Sequence, residues 1–210
     1  MKAIIFDLDG VICHTDKYHY LAWKALADEL KIDFDEKVNN RLRGVSRMES
    51  LDIILEKYDG YLSGDVKELL ANKKNDLYRE YLVKMSTKDL TDEVFNTLEE
   101  LKRRGYRLAI GSSSKNAPLI LERIGLGNYF EVISDGNNII NSKPNPEVFL
   151  KAAEMLSLPP EECYVVEDAL AGIDAAKRAN MIAIAISDAR SSAIADYRIE
   201  SFADLLLIAK

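Results

Sequence analysis

The stretch Ala3-Ile4-Ile5-Phe6-Asp7-Leu8-Asp9-Gly10-Val11 decides the fold of this 210-residue chain. A short apolar run rich in Ile and Phe is typical of a strand buried on both faces, and Gly10 marks where the chain turns out of the sheet. Residues two apart in an extended segment point the same way, so Asp7 and Asp9 can converge at the carboxyl edge of a sheet. Two carboxylates there repel unless a cation such as Mg²⁺ or a shared proton separates them. The alternative is that one aspartate caps a turn while the other is solvated.

Composition narrows the class of protein. The chain is 48% hydrophobic, which is enough for a full core in one or two domains. Its net charge of −7 is dispersed, which argues against nucleic acid as a partner. No apolar run approaches a membrane span and the start of the chain does not resemble a signal peptide, so we expect a cytoplasmic protein with reduced Cys13 and Cys163. Glycine-rich nucleotide-binding motifs are missing, and a nucleotide site is not supported.

The pattern of apolar residues changes twice along the chain. Residues 15–87 are almost wholly helical in pattern, with helices expected over 15–31, from a capping box at Ser46, and over 65–84. From Leu90 onward strands and helices alternate, which is typical of a parallel α/β sheet. We expect strands at 107–112, 131–134, 163–166 and 182–186, and helices near 92–104, 116–124, 146–157, 169–178 and 201–208. The sequence therefore predicts an α/β core (1–14 and 88–210) with a helical cap (15–87) inserted after the first strand.

Polar residues follow several of the predicted strands. Ligands of open α/β sheets bind outside the carboxyl ends of the strands, so these residues are expected to share one site. They are Asp7 and Asp9, the run Ser112-Ser113-Ser114-Lys115-Asn116, Lys143, and Glu167-Asp168. The serines and Glu167-Asp168 can instead be simple helix caps, and Lys143 a solvated loop residue. Taken together, the set can hold Mg²⁺ and a phosphoryl group, with a carboxylate as nucleophile.

The cap contributes candidates of its own. Thr15, His19 and Trp23 are spaced i, i+4, i+8 and share one helix face that leads away from the Asp7 and Asp9 loop. Arg47 lies in the first turn of a capped helix, against the helix dipole, which indicates an anion site over residues 43–47. Lys74 interrupts an apolar stripe and can reach the cleft. The alternatives are a structural histidine, exposed arginines, and a lysine that extends to solvent.

With these residues the chain resembles the haloacid dehalogenase superfamily of phosphotransferases. The four motifs of that superfamily occur in order as Asp7-x-Asp9, Ser112, Lys143 and Glu167-Asp168, and the helical insertion matches its helical cap. Further stretches are similar to the phosphomutases of the superfamily that act on sugars. These are Tyr18-His19, Ala22-Trp23-Lys24-Ala25-Leu26, Gly44-Val45-Ser46-Arg47, Lys74-Asn75-Asp76, Ser112-x-Ser114-Lys115-Asn116 and Glu167-Asp168-Ala169-x-Ala171-Gly172-Ile173.

The resemblance implies a role for each matching residue. Asp7 is expected to be the nucleophile and Asp9 the general acid/base. Mg²⁺ is expected on Asp7, the Asp9 carbonyl and Asp168, assisted by Glu167. Ser112 and Lys143 are expected to hold the transferring phosphate. The expected substrate-binding residues are Thr15, His19, Trp23, Arg43, Gly44, Val45, Ser46, Arg47, Lys74, Ser113, Ser114, Lys115 and Asn116, with Arg47 on the distal phosphate.

The implied activity is that of an isomerase of carbohydrate metabolism. It would interconvert β-D-glucose 1-phosphate and D-glucose 6-phosphate through phospho-Asp7 and β-glucose 1,6-bisphosphate, as a monomer whose partner is a sugar phosphate. A phosphatase of the same superfamily, acting on sugar phosphates, is the alternative. A non-catalytic sensor would be expected to lack Asp7 or Asp9, and both are present. The chain differs from the family pattern at His14, where an acid is usual, at Arg43, where lysine is usual, and in the segment Asp89-Leu90-Thr91-Asp92-Glu93, which lacks the usual Pro-Gly.

Overall fold

A six-stranded parallel sheet forms the centre of the structure, a computed structural model that describes residues 2–42 and 45–209. The strand order is β3-β2-β1-β4-β5-β6, so the first strand lies in the middle of the sheet. This position explains its apolar sequence, because a central parallel strand is covered on both faces. The α/β prediction is confirmed. The strands are β1 Ala3–Phe6, β2 Arg107–Gly111, β3 Val132–Ser134, β4 Cys163–Glu167, β5 Ile182–Ala185 and β6 Tyr197–Arg198.

The pairing of β1 with both neighbours fixes the edge at which the polar residues meet. Phe6 is in register with Ile110 of β2 and Val166 of β4. One residue later, the Asp7 N–H donates to the Val166 carbonyl at 2.9 Å. Residues that follow these three strands therefore emerge side by side at the carboxyl edge of the sheet.

Helices separate most of the strands, and one follows the last strand. Five of them lie between β1 and β2; the first four fall within the predicted insertion, residues 15–87, and Ser46 forms the predicted capping box with Glu49. The sequence did not indicate α2 or β6, because five and two residues are too short to show a periodic pattern. The helices are α1 Asp16–Glu29, α2 Glu36–Asn40, α3 Arg47–Leu55, α4 Gly64–Leu82, α5 Asp92–Arg103, α6 Ala117–Arg123, α7 Glu147–Met155, α8 Leu170–Arg178 and α9 Leu205–Ile208.

Apolar packing joins the helical insertion to the sheet. The insertion has a cluster of its own around Trp23, Leu26 and Leu51. Tyr18 and Tyr78, from α1 and α4, belong instead to the large cluster that covers one face of the sheet. The insertion is thus attached through the packed pair α1 and α4. Its division from the core at residues 14/15 and 87/88 stays a proposal.

Helices within residues 2–42 and 45–209 include none that is long and apolar enough to cross a membrane.

Candidate active site

Three buried carboxylates lie together at the carboxyl edge of the sheet. Asp7 follows β1, Glu167 ends β4 and Asp168 follows it. Each offers an oxygen, and these oxygens all lie within 4.8 Å of one another. All three residues are at most 6% exposed. We call this group the acid cluster.

A buried lysine stands against the acid cluster. The Lys143 ammonium, 2% exposed, contacts the Asp7 carboxylate and lies 2.8 Å from Glu167 Oε2. Burial disfavours its charge, but the two carboxylates outweigh this effect and raise the pKa of Lys143 above its ordinary value. One ammonium among three carboxylates leaves an excess of negative charge, which suits a divalent cation.

Two glycines make room for the acid cluster. Gly10 has φ +80°, and a Cβ there would lie 2.1 Å from Asp168 Oδ2. A Cβ on Gly172, in the first turn of α8, would lie 2.0 Å from Glu167 Cδ. Both positions therefore require glycine on steric grounds, and Gly10 requires it also for its backbone conformation.

Asp9 lies beside the cluster and is held from the cap. The Thr15 hydroxyl donates to the Asp9 carboxylate, and the Tyr78 hydroxyl donates to Thr15 Oγ1 at 3.1 Å. Removal from water in the cleft raises the pKa of Asp9 to about 7, and Asp7 adds to this effect against the opposing hydrogen bond from Thr15. A carboxyl group with this pKa exchanges protons readily near neutral pH.

Lys74 and His19 form a second polar pair on the cap side of Asp9. Lys74 Nζ donates to His19 Nδ1 at 2.9 Å, and His19 Nε2 lies 3.9 Å from Asp9 Oδ2. The ammonium lies 4.6 Å from the ring centroids of both Trp23 and Tyr78. Burial, reinforced by Arg47, lowers the pKa of Lys74 to about 7, and burial also lowers the pKa of His19.

The serine loop, residues 112–116, borders the cleft from the end of β2. Ser112 is 2% exposed, and its Oγ accepts from the Ser114 N–H at 3.1 Å. Ser114 Oγ in turn accepts from the Asn116 N–H at 3.2 Å. These turns fold the loop tightly, and its three serines line the same cleft as Asp7.

One cleft of about 710 Å³ unites the acid cluster with the cap. It gathers most of the residues that the sequence predicts for the site. These are Asp7, Asp9, His19, Trp23, Val45, Ser46, Arg47, Lys74, Ser112, Ser113, Ser114, Lys115, Asn116, Lys143, Glu167 and Asp168.

Three predicted positions have other outcomes. Thr15 is fully buried and touches Asp9, not the open space of the cleft. Arg43 and Gly44 lie outside the described residues. Tyr78, which lines the cleft and donates to Thr15, was not among the predicted site residues. Its spacing of i+4 from Lys74 was the available signal, because that spacing places both on one side of α4.

The sheet order and an aspartate beside a buried lysine define an α/β protein equipped for phosphoryl transfer to a carboxylate. Comparison with known proteins agrees with this class. Residues 1–180 match the model of the haloacid dehalogenase-like hydrolases. The chain belongs to this family.

Similar proteins span nearly the whole chain. A β-phosphoglucomutase of Bacillus subtilis strain 168 is 40% identical over 99% of this chain and 92% of its own length. A phosphatase of phosphorylated carbohydrates from Thermotoga maritima is 32% identical over 86% of this chain and 82% of its own. The crystal structure of a β-phosphoglucomutase from Clostridium difficile superposes with a TM-score of 0.91 at 38% identity, covering 98% of this chain and 93% of that one.

Proposed function

We propose that this protein is a β-phosphoglucomutase, which interconverts β-D-glucose 1-phosphate and D-glucose 6-phosphate through a phosphorylated aspartate and β-glucose 1,6-bisphosphate. The observation that carries the proposal is the shared cleft, in which Asp7 of the core faces Arg47, His19 and Lys74 of the cap. The B. subtilis protein of that name, at 40% identity over nearly the whole chain, supports it.

Asp7 and Asp9 divide the chemistry. Asp7 accepts and returns the phosphoryl group, with Lys143 and Ser112 beside it to balance charge on the phosphoryl oxygens. Asp9, with its pKa raised to about 7, takes the proton from the attacking sugar hydroxyl and returns it to the leaving one. The bisphosphate then turns in the cleft, so that each of its two phosphates meets Asp7 in turn.

Mg²⁺ is part of the proposal. Asp7, Asp168 and the Asp9 carbonyl are the residues that would hold it, with Glu167 assisting. The steric demand at Gly10 shows how closely the backbone approaches Asp168, and the excess negative charge of the acid cluster fits a hard dication. The bound ion would offset charge on the transferring phosphoryl group.

Cap residues favour the mutase over the sugar-phosphate phosphatase. A mutase must hold a second phosphate far from Asp7, and Arg47 supplies a cation on the cap side of the cleft. His19 and Lys74 supply polar groups near Asp9 for a sugar hydroxyl. A hydrolase has no second phosphate to hold, because water attacks phospho-Asp7 after the sugar has left.

The test supplies purified protein with Mg²⁺, β-glucose 1-phosphate and a trace of β-glucose 1,6-bisphosphate, and follows glucose 6-phosphate and free phosphate together. We expect rapid formation of glucose 6-phosphate with little free phosphate. Asp7→Asn should abolish turnover, because the amide is a poor nucleophile. Phosphate release without isomerisation would instead identify a phosphatase, and residual turnover in Asp7→Asn would contradict the assignment of the nucleophile.

A further inference from the structure

Two cap residues hold the side chain of Asn116 across the cleft. Arg79 Nη1 donates to Asn116 Oδ1 at 3.1 Å, and Asn116 Nδ2 donates to Asn75 Oδ1 at 2.9 Å. Asn75 and Arg79 are four residues apart on α4, so they share one face of that helix. Asn116 itself is buried, at 5% exposure. The contact therefore bridges the cap helix and the core.

The direction of the Asn116 amide follows from the chemistry of its partners. A guanidinium group only donates, so the amide atom that faces Arg79 must be the oxygen. The amide nitrogen is then left for the Asn75 oxygen. Asparagine at a helix N-cap normally accepts from the helix backbone, yet Asn116 makes no such bond at the start of α6. Both polar atoms of its side chain instead bond residues of the cap helix α4.

The backbone of Asn116 connects this contact to the serine loop. Its N–H donates to Ser114 Oγ at 3.2 Å, and the Ser114 N–H donates to Ser112 Oγ at 3.1 Å. On the other side, α4 also carries Lys74, whose ammonium bonds His19 near Asp9. A displacement of α4 thus acts on the serine loop and on the Asp9 side of the cleft at once.

We propose that Arg79 is a positioning residue for phosphoryl transfer: through Asn116 it holds the cap helix α4 against the serine loop, so that the cap groups face Asp9. The inference rests on the proposed function and assigns the residue that ties cap to core. Without the hydrogen bond between Arg79 and Asn116, closure of the cap over the sugar phosphate is less favourable. Water, in contrast, reaches phospho-Asp7 through the opened cleft.

The test measures how phospho-Asp7 divides its phosphoryl group between sugar phosphate and water. The enzyme is phosphorylated with acetyl phosphate, β-glucose 1-phosphate is added, and glucose 6-phosphate and free phosphate are followed. For Arg79→Met we expect the ratio of the two products to fall about three- to tenfold, as for the loss of one ordinary hydrogen bond by an exposed side chain. Arg79→Lys keeps a donor and should restore most of the ratio. Arg178→Met, which removes an exposed arginine at the end of α8, is the matched control.

A second readout does not depend on sugar chemistry. Trp23 is the single tryptophan of the chain, it lines the cleft, and it is 2% exposed. Acrylamide should quench its fluorescence faster in Arg79→Met than in the wild type or Arg178→Met, at an unchanged melting temperature (Tm). An unchanged product ratio and unchanged quenching in Arg79→Met would overturn the proposal. A wild type that forms no glucose 6-phosphate, yet shows the quenching difference, would overturn the mutase function alone.

Discussion

Lys74 is a charged residue in a place that disfavours charge. Its ammonium is buried beside His19 and near Arg47, and its pKa is lowered to about 7 by burial first and Arg47 second, while Asp9 opposes the shift. The rings of Trp23 and Tyr78 offset part of the cost. Retaining such a group costs stability, which is common where a residue serves function.

We therefore expect Lys74→Met to stabilise the fold while turnover falls. A gain of at least about 1 kcal/mol at pH 7 would raise the Tm by about 2–4 °C for a chain of this size. The unfolded lysine keeps its pKa near 10.5, so between pH 7 and 10 the unfolded chain binds more protons and wild-type stability increases with pH. The advantage of Lys74→Met should shrink over that range. Lys37→Met, at an exposed site, is the control, and a variant that melts below the wild type at pH 7 would contradict this account.

Individual residues differ in how far the sequence revealed them. Asp7, Asp9, Glu167 and Asp168 were evident because each follows a strand of clear pattern. The hydrogen-bond partners of Thr15 and Asn116 were not evident. Tyr78 lies 63 residues from Thr15, and Arg79 lies 37 residues from Asn116. No local spacing encodes a contact that depends on how two helices pack.

The first turn of α8 packs closely against the carboxylate of Glu167. The packing of Gly172 against Glu167 predicts that Gly172→Ala displaces that side chain, since the added Cβ would lie 2.0 Å from Glu167 Cδ. Glu167 would then lose its contact with Lys143 and with the Ala169 N–H. We expect a loss of about 1–3 kcal/mol in stability and a higher Mg²⁺ requirement in the mutase assay.

The matched control for that variant is Gly127→Ala. A Cβ there would meet only ordinary contacts at 3.5 Å or more, and the site is remote from the cleft. Melting curves and Mg²⁺ titrations of turnover compare the two variants. Equal behaviour of both would show that Gly172 has no special relation to Glu167.

The loop before α7 is a further element that the sequence did not explain. Glu147 accepts from the backbone N–H groups of Ile140 and Asn141, both at 2.8 Å, and from the Asn141 amide at 2.9 Å. These bonds lower the pKa of Glu147 and shape the loop that carries Lys143. The sequence indicated only a helix start here, because a carboxylate in a first turn ordinarily serves the helix dipole.

The negative charge of the acid cluster predicts that Mg²⁺ stabilises the entire fold. A ligand that binds only the folded chain adds about 2.7 kcal/mol when its concentration is a hundred times its Kd. We expect the Tm to rise with Mg²⁺ well beyond the change produced by NaCl at equal ionic strength. In Asp168→Asn this rise should be much reduced. A shift of the same size in both proteins would place the ion elsewhere.

The overall architecture was the most predictable part of the molecule. Helices and strands alternate in the second half of the chain, and one strand without a neighbouring partner precedes the helical segment. This pattern leaves few arrangements besides a parallel sheet with an insertion. The placement of the cap against the core was not predictable in this way. It depends on Tyr18 and Tyr78, which join the core cluster, while their neighbour Trp23 packs within the cap.

The central position of β1 also has a consequence for biosynthesis. β1 is synthesised before the other strands, whereas Val166, the register partner of Phe6, and the carboxylates Glu167 and Asp168 are synthesised only after β2 and β3. During translation, the nascent chain carries Asp7 and Asp9 without the residues that neutralise or accompany them. A chain terminated before Glu167 therefore lacks two of the three carboxylates of the acid cluster and cannot form the site.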